Sequence, residues 1–273
     1  MDVYEAVDTR RAVRDFTDEP VEEEVLAHVL SRAARAPSGA NLQPWHAYVL
    51  TGTALAELKQ RTAARVAAGD PGDPREYDMY PPGLPPRYRR RRSAAAAQRY
   101  AVLGIPRTDR RAREQAVAAN WDCFGAPAAL FCYVHRAMGL PQWADVGMFL
   151  QTVMLLLRGE GLHSCPQMAW SVYHRTVADV LRPPDDLVLF CGVSIGYEAP
   201  TAAAVRIDRA PLGETVTFVN GEEHSASGAR PGRPARPRSL SVRHRAGVSR
   251  ETSAHPDVPT RPRKAVSGAY RAP

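Results

Sequence analysis

RAPSGANLQPWH, residues Arg35–His46, is the stretch on which the reading of this chain turns. It is too polar and too rich in turn-formers to continue the amphipathic segment before it, and it ends in a rigid Pro-Trp pair. Gly39 permits close backbone approach, Ser38 and Asn41 carry short-range donors and acceptors, and Gln43 presents an amide able to pair with the edge of a heterocycle. Pro37 and these four residues therefore form a candidate shelf for a flat polar ligand. Taken alone, an ordinary capped helix exit accounts for them equally well.

Working outward, Val3–Asp8 predicts a short helix and RRAVRDF a loop after it. Thr17 or Asp18 is placed to cap a second helix, with Pro20 in its first turn and Val21, Val25, Leu26, Val29, Leu30 and Ala33 at helical spacing up to Pro37. On the other side, HAYVLTG (46–52) reads as a strand and ALAELKQRTAARVAAG (54–69) as a surface helix stopped by Gly69. The Pro- and charge-dense segment 70–92 reads as a long insertion of low regularity, followed by helices through Gln98–Leu103 and Arg110–Asn120. AALFCYVHR (128–136) and LVLFCGVSIGYE (187–198) are buried-strand candidates, and TVTFV (215–219) a last strand. ADVGMFLQTVMLLLRGEGL (144–162) reads as a helix capped by Asp145. Its sides are nearly all apolar, so it must be covered all round, in the core or at a subunit interface. HSCPQMAW (163–170) reads as a turn, and Ser171–Leu181 as a further helix. Helices outnumber the widely separated strands without strict alternation, so the class is α+β, with a central mixed or antiparallel sheet flanked by helices.

Charge divides the chain in two. Residues 222–273 hold 11 basic and four acidic residues, a net +7, which is the charge of the entire 273-residue chain, so residues 1–221 are neutral. The first 221 residues read as one domain and 222–273 as a disordered basic tail, too poor in apolar residues to offset chain entropy. Apart from Tyr270 no Phe, Tyr or Trp interleaves with the tail arginines, which argues against a nucleic-acid arm. Cys123, Cys132, Cys165 and Cys191 show no metal-ligand spacing and mostly lie in apolar runs, so buried reduced thiols and no metal site are expected. The N-terminus has no apolar h-region, and VGMFLQTVMLLL is short and interrupted for a bilayer span; a soluble, cytoplasmic protein is expected.

No nucleophile elbow, P-loop or GxGxxG occurs. Four polar segments remain: RRAVR (10–14), PSGANLQPW (37–45), GLHSCPQMAW (161–170) and VRIDRAP (205–211). Arg10, Arg11 and Arg14 crowd three guanidinium forks onto five residues, suited to phosphate or to a delocalised anion, although a solvated basic turn would look the same. Arg206 and Arg209 offer a second pair. His163 is a candidate acid, with a structural histidine as the plainer reading.

Together, RRAVRDF, APSGANLQPWHAYVLTG, ADVGMFLQTVMLLLRGEGLHSCPQMAW, GVSIGYEAP and RIDRAPLGETVTFV resemble, in order, the successive blocks of the FMN-dependent nitroreductase family, over roughly residues 2–219. The resemblance implies a homodimer with FMN at the subunit interface and the apolar helix as its seam. It places Arg10 and Arg11, with Arg206 or Arg209, on the phosphate and Arg14 near the flavin N1/O2 edge. Pro37, Ser38, Gly39, Asn41 and Gln43 would reach the partner chain's cofactor, while Pro166, Gln167, Met168 and Ala169 would line the ring. The implied reaction passes a hydride from NADH or NADPH through FMN to an electron-poor small molecule such as a nitroaromatic or quinone in a ping-pong scheme, with Arg14 stabilising the negative charge that develops at N1/O2. No side chain of tuned pKa is needed.

The chain departs from the family pattern at Ala12, where serine is common, and at Met168-Ala169, where Glu-Gly or Gly-Gly is common. The insertion is also longer than a minimal member needs. These changes bear on substrate choice, so dehydrogenation or reductive removal of a substituent is the alternative within the fold. A basic nucleic-acid-associated protein is the alternative outside it, and the neutral body argues against that.

Overall fold

The computed structural model describes residues 1–219, and Met1–Thr215 form one compact unit. In chain order the described elements are α1 (Val3–Thr9), α2 (Glu23–Ala33), β1 (Trp45–Thr51), α3 (Gly52–Ala67), α4 (Pro86–Val102), α5 (Arg110–Ala118), β2 (Ala128–His135), α6 (Leu140–Gly159), β3 (His163–Gln167), α7 (His174–Leu181) and β4 (Leu187–Gly196). The sheet order is β1-β2-β4-β3 and every neighbouring pair is antiparallel, so the fold is α+β around an antiparallel sheet. The tail 222–273 lies outside the described residues.

Pleating sorts the core into two layers. Leu130, Cys132 and Val134 of β2 face a cluster built from α2 and α6, including Leu26, Val29, Val146, Phe149 and Val153. Ala129, Phe131 and Tyr133 face the opposite cluster, with Leu55 and Leu58 of α3, Val13, Trp170 and Val177. Trp170 is fully buried, edge-on to Phe131, and lies so close over Gly192 that a Cβ there would meet its ring at 2.4 Å. Glycine at 192 is therefore a packing requirement.

Several local expectations are corrected. Helix α2 starts at Glu23, without a cap from Thr17 or Asp18, because Phe16 bridges Glu198 and the Thr17 N–H donates to the Tyr197 carbonyl, holding that segment extended. Helix α6 starts at Leu140, with Gln142 accepting the Gly139 N–H at 3.2 Å; Asp145 is an interior residue and not the cap. Residues 163–167 are strand, not turn: they pair with β4 from His163–Gly196 to Gln167–Gly192, and Pro166 is tolerated because β3 is an edge strand. A 3₁₀ turn, Met168–Tyr173, delays α7 to His174. Residues 216–219 form no strand, and Phe218 and Val219 are exposed; alternating apolar residues supply a propensity for pairing but no partner.

The insertion is more ordered than its composition suggests. Asp73 binds Arg65 at 2.9 Å and the Arg175 N–H at 2.9 Å, and Tyr77 donates to the Phe190 carbonyl at 2.7 Å. Its arginine run belongs to α4, which Pro86 begins and an alanine run, Ala94–Ala97, sustains. Helix α6, at 20 residues and mean hydropathy 1.2, is long and apolar enough to cross a bilayer, more so than its apolar run alone suggests. Val146, Phe149, Leu150, Val153 and Leu157 are nevertheless buried in the domain core, the packing of a core helix.

Candidate cofactor site

The segment after α1 runs alongside β3: Ala12 bridges Ser164 and the Val13 N–H donates to the Ser164 carbonyl at 3.1 Å. Val13 enters the core and Ala12 packs against the same cluster, while Arg10 and Arg14 stay half-buried. Arg10 and Arg14 both lie close enough to the buried Cys165 to act on its thiol, which burial pushes up to about 11 while Arg14, Arg99 and Arg10 pull it back.

Arg99 is the member of this group that the sequence reading missed. Helix α4 brings it to Arg14; burial, and then Arg14, lower its pKa. Its Nη2 donates to the Ala116 carbonyl at 3.0 Å, and its Nε is buried without a partner. Arg10 is lowered likewise, by burial and then by Arg209. Among the described residues no carboxylate forms an ion pair with Arg10, Arg14, Arg99 or Arg209. Four guanidiniums that repel one another, with backbone carbonyls as the acceptors of Arg14, Arg99 and Arg209 and no carboxylate beside them, cost free energy, which an anion in their midst returns.

Arg11 diverges from this group. It is ion-paired with Glu198, whose other oxygen lies 3.3 Å from His163 Nε2. Burial, then Arg158, push the His163 pKa down against the pull of Glu198. Arg206 donates to the Asp8 carbonyl at 3.0 Å, so of the distal pair it is Arg209 that faces Arg10. Segment 207–215 is stapled to α4 by Gln98–Asp208 (2.6 Å) and Arg91–Glu214 (2.9 Å), enclosing a trough of about 640 Å³ with Arg209 on its wall.

The 37–43 loop is built by a different device. Ala40, Asn41 and Gln43 all have positive φ, 50°, 57° and 48°, a costly backbone for alanine and glutamine. The turn is held by Ser38 Oγ, which accepts the Gln43 N–H at 3.0 Å, by Gln43 Nε2 on the Asn41 carbonyl at 3.1 Å, and by Asp145 Oδ2, which accepts the Gly39 N–H at 3.1 Å. An acidic residue inside an apolar helix is the signal by which Asp145 is recognisable. Pro37, Gly39, Asn41 and Gln43 remain exposed. No hydrogen bond among the described residues joins this loop to the arginines. The loop leads into β1 and the arginines flank β3, the opposite edges of the sheet, three strand spacings or about 14 Å apart.

At the end of β3, Pro166 is exposed and Met168 and Ala169 half-buried. Gln167 is buried, its amide donating to the Asn120 carbonyl at 2.6 Å and accepting from Ser194. Its side chain is therefore structural, leaving only its backbone for a ligand.

Comparison with known proteins sharpens this picture. Residues 7–197 match the model of the Nitroreductase family. The chain is 35% identical over 213 residues to nitrobenzene nitroreductase of Ectopseudomonas oleovorans, covering 77% of this chain and 94% of that one. It is 35% identical to 4-nitrobenzoate reductase of Pseudomonas putida, covering 74% and 89%. The crystal structure of the FMN and NADPH-dependent nitroreductase NfnB from Sphigopyxis sp. strain HMH superposes with TM-score 0.78 at 44% identity over 81% of this chain and all of that one. NfnB from Mycobacterium smegmatis in complex with NADPH gives 0.74 at 32% identity, over 80% and 100%. A match that runs from α1 to the end of β4, with relatives 35% identical across most of their length, means that the chain belongs to the nitroreductase family.

Proposed function

We propose that the protein is an FMN-dependent oxidoreductase that uses NADPH or NADH to reduce nitroaromatic or quinone acceptors, with residues 1–221 as the FMN-binding domain. The observation that carries this reading is the convergence of Arg10, Arg14, Arg99 and Arg209 with no opposing carboxylate among the described residues. The group fits a flavin phosphate and an anionic ring edge, and the buried, unpartnered Nε of Arg99 is a donor awaiting an acceptor. Arg10 and Arg209 would hold the phosphate, with Arg11 oriented by Glu198 and Arg206 by α1 beside it. Arg14 would face the pyrimidine edge. Pro166, Met168, Ala169 and the Gln167 backbone would border the ring.

FMN, when bound, supplies two-electron hydride chemistry. The arginines bind and orient it, and their fixed positive charge favours the reduced, more negative form. The family resemblance and the two half-sites on opposite sheet edges support a homodimer, in which Pro37, Ser38, Gly39, Asn41 and Gln43 of one chain complete the partner's site. Helix α6 leaves Ala144, Gly147, Met148 and Gln151 exposed at three- and four-residue spacing, a face suited to such a seam. The buried thiols of all four cysteines suit a reducing compartment, and the cytoplasm is the proposed location.

The test is a visible spectrum of the purified protein, identification of the released chromophore, and NADPH-driven reduction of nitrobenzene or 4-nitrobenzoate. A colourless protein that takes up no added FMN overturns the reading. A monomer in sedimentation that retains full FMN overturns the shared site.

A further inference from the structure

Helix α4 links the arginine group to an exposed cationic edge. Arg99, in its C-terminal half, stands beside Arg14. Seven residues earlier, almost two full turns, Arg92 occupies the same edge about 10 Å along the helix. Ala95 and Ala96 lie between them, so only methyl groups interrupt the strip. Arg92 is exposed and has no hydrogen bond or ion pair among the described residues. Its guanidinium lies 5.1 Å from the centre of the Tyr80 ring. Stacking of this kind holds the guanidinium plane while leaving its N–H fork open to an acceptor. One turn further, Tyr88 carries Arg87 at 4.5 Å and Arg91 at 5.9 Å over its ring. The edge is thus cationic and aromatic.

The two nicotinamide dinucleotides differ by one phosphate, on the adenosine 2′ oxygen, at the end remote from the transferred hydride. The hydride end has to lie against the flavin, beside Arg14 and Arg99. A group that tells the two apart must therefore stand away from the flavin, and α4, with Arg99 in its C-terminal half and Arg92 in its N-terminal half, runs from the one place toward the other. We propose that Arg92, seated on Tyr80, receives the adenosine 2′-phosphate and selects NADPH over NADH. The proposal rests on the arginine group being the flavin pocket. Arg91 serves less well because Glu214 neutralises it, and Arg90 lies about 200° round the helix from Arg92.

Isothermal titration of the FMN-loaded protein with adenosine 2′,5′-bisphosphate and with adenosine 5′-monophosphate tests this directly. The bisphosphate is expected to bind at least about tenfold more tightly, through charge-assisted bonds to one guanidinium. Arg92→Gln should bring the two ligands within about twofold and raise KM for NADPH about tenfold, with KM for NADH unchanged. Arg90→Gln should leave the preference intact. Discrimination that survives in Arg92→Gln, equal weakening of both nucleotides, or a wild type that does not discriminate overturns the proposal. An unaltered flavin spectrum and NADH-driven turnover in the same preparations show that such a result concerns Arg92 alone. Absence of flavin from the wild type condemns the pocket itself.

Discussion

The two halves of the candidate site are made by opposite means. At β3 the protein concentrates charge: four arginines, of which Arg10 and Arg99 are partly desolvated, come from the end of α1, the following strand-like segment, α4 and the 205–211 segment. Before β1 it places no charge on the exposed surface, and instead bends neutral backbone into positive φ and leaves it open to solvent, with Asp145 clamping it from below. The first half is suited to attract and hold an anion, and the second to present amides to an uncharged surface. That they sit on opposite edges of one sheet is what makes two chains per site the natural reading.

The contrast predicts unequal sensitivities. The largest effect belongs to the charged half: Arg14→Ala should weaken FMN binding by at least about tenfold or make the bound flavin harder to reduce, because a charge-assisted contact is lost. Fluorescence titration and spectroelectrochemistry measure this, and unchanged affinity and potential would remove Arg14 from the site. Asp145→Ala should cost about 1–3 kcal/mol by denaturant unfolding, since the Gly39 N–H loses its acceptor, and should loosen FMN only secondarily. If it releases flavin as readily as the arginine variant, the two halves are not separable.

Ala40→Gly tests the neutral half with the opposite sign. At φ 50° glycine relieves strain of about 1 kcal/mol, so thermal stability should rise slightly. A fall would mean that the loop adopts another conformation in solution.

The smallest effect concerns His163. Its folded pKa is depressed, chiefly by burial, so the folded state binds fewer protons than the unfolded state below the ordinary histidine value of about 6.5. Stability is therefore full above that value and declines as pH falls below it. His163→Gln should flatten this part of the stability curve, and an unaltered slope would assign the acid sensitivity elsewhere.

Legibility followed the range of the interactions. The loop residues Gly39 and Asn41 were recognisable because turn chemistry is written in neighbouring positions, β2 and β4 because they are unbroken apolar runs, and α3 because its apolar residues recur at helical spacing. Arg14 was recognisable from local crowding of charge. Arg99 was not, since nothing in an alanine-rich helix says which arginine will meet Arg14 from elsewhere in the chain. Asp145 was misread as a cap because an acid near a helix start usually is one. Strand β3 was misread as a turn because Pro166 breaks most strands and an edge position is not visible without the sheet.

The sequence by itself determined the α+β class, the apolar runs of β2, β4 and α6 and the family resemblance, because apolar runs, turn residues and ordered motif blocks are properties of local chain. Only the tertiary structure decided that Arg11 belongs to Glu198, that Arg99 belongs with Arg14, and that the two half-sites stand on opposite sheet edges. Those pairings depend on strand order and helix docking, which are settled by packing between residues far apart in the chain.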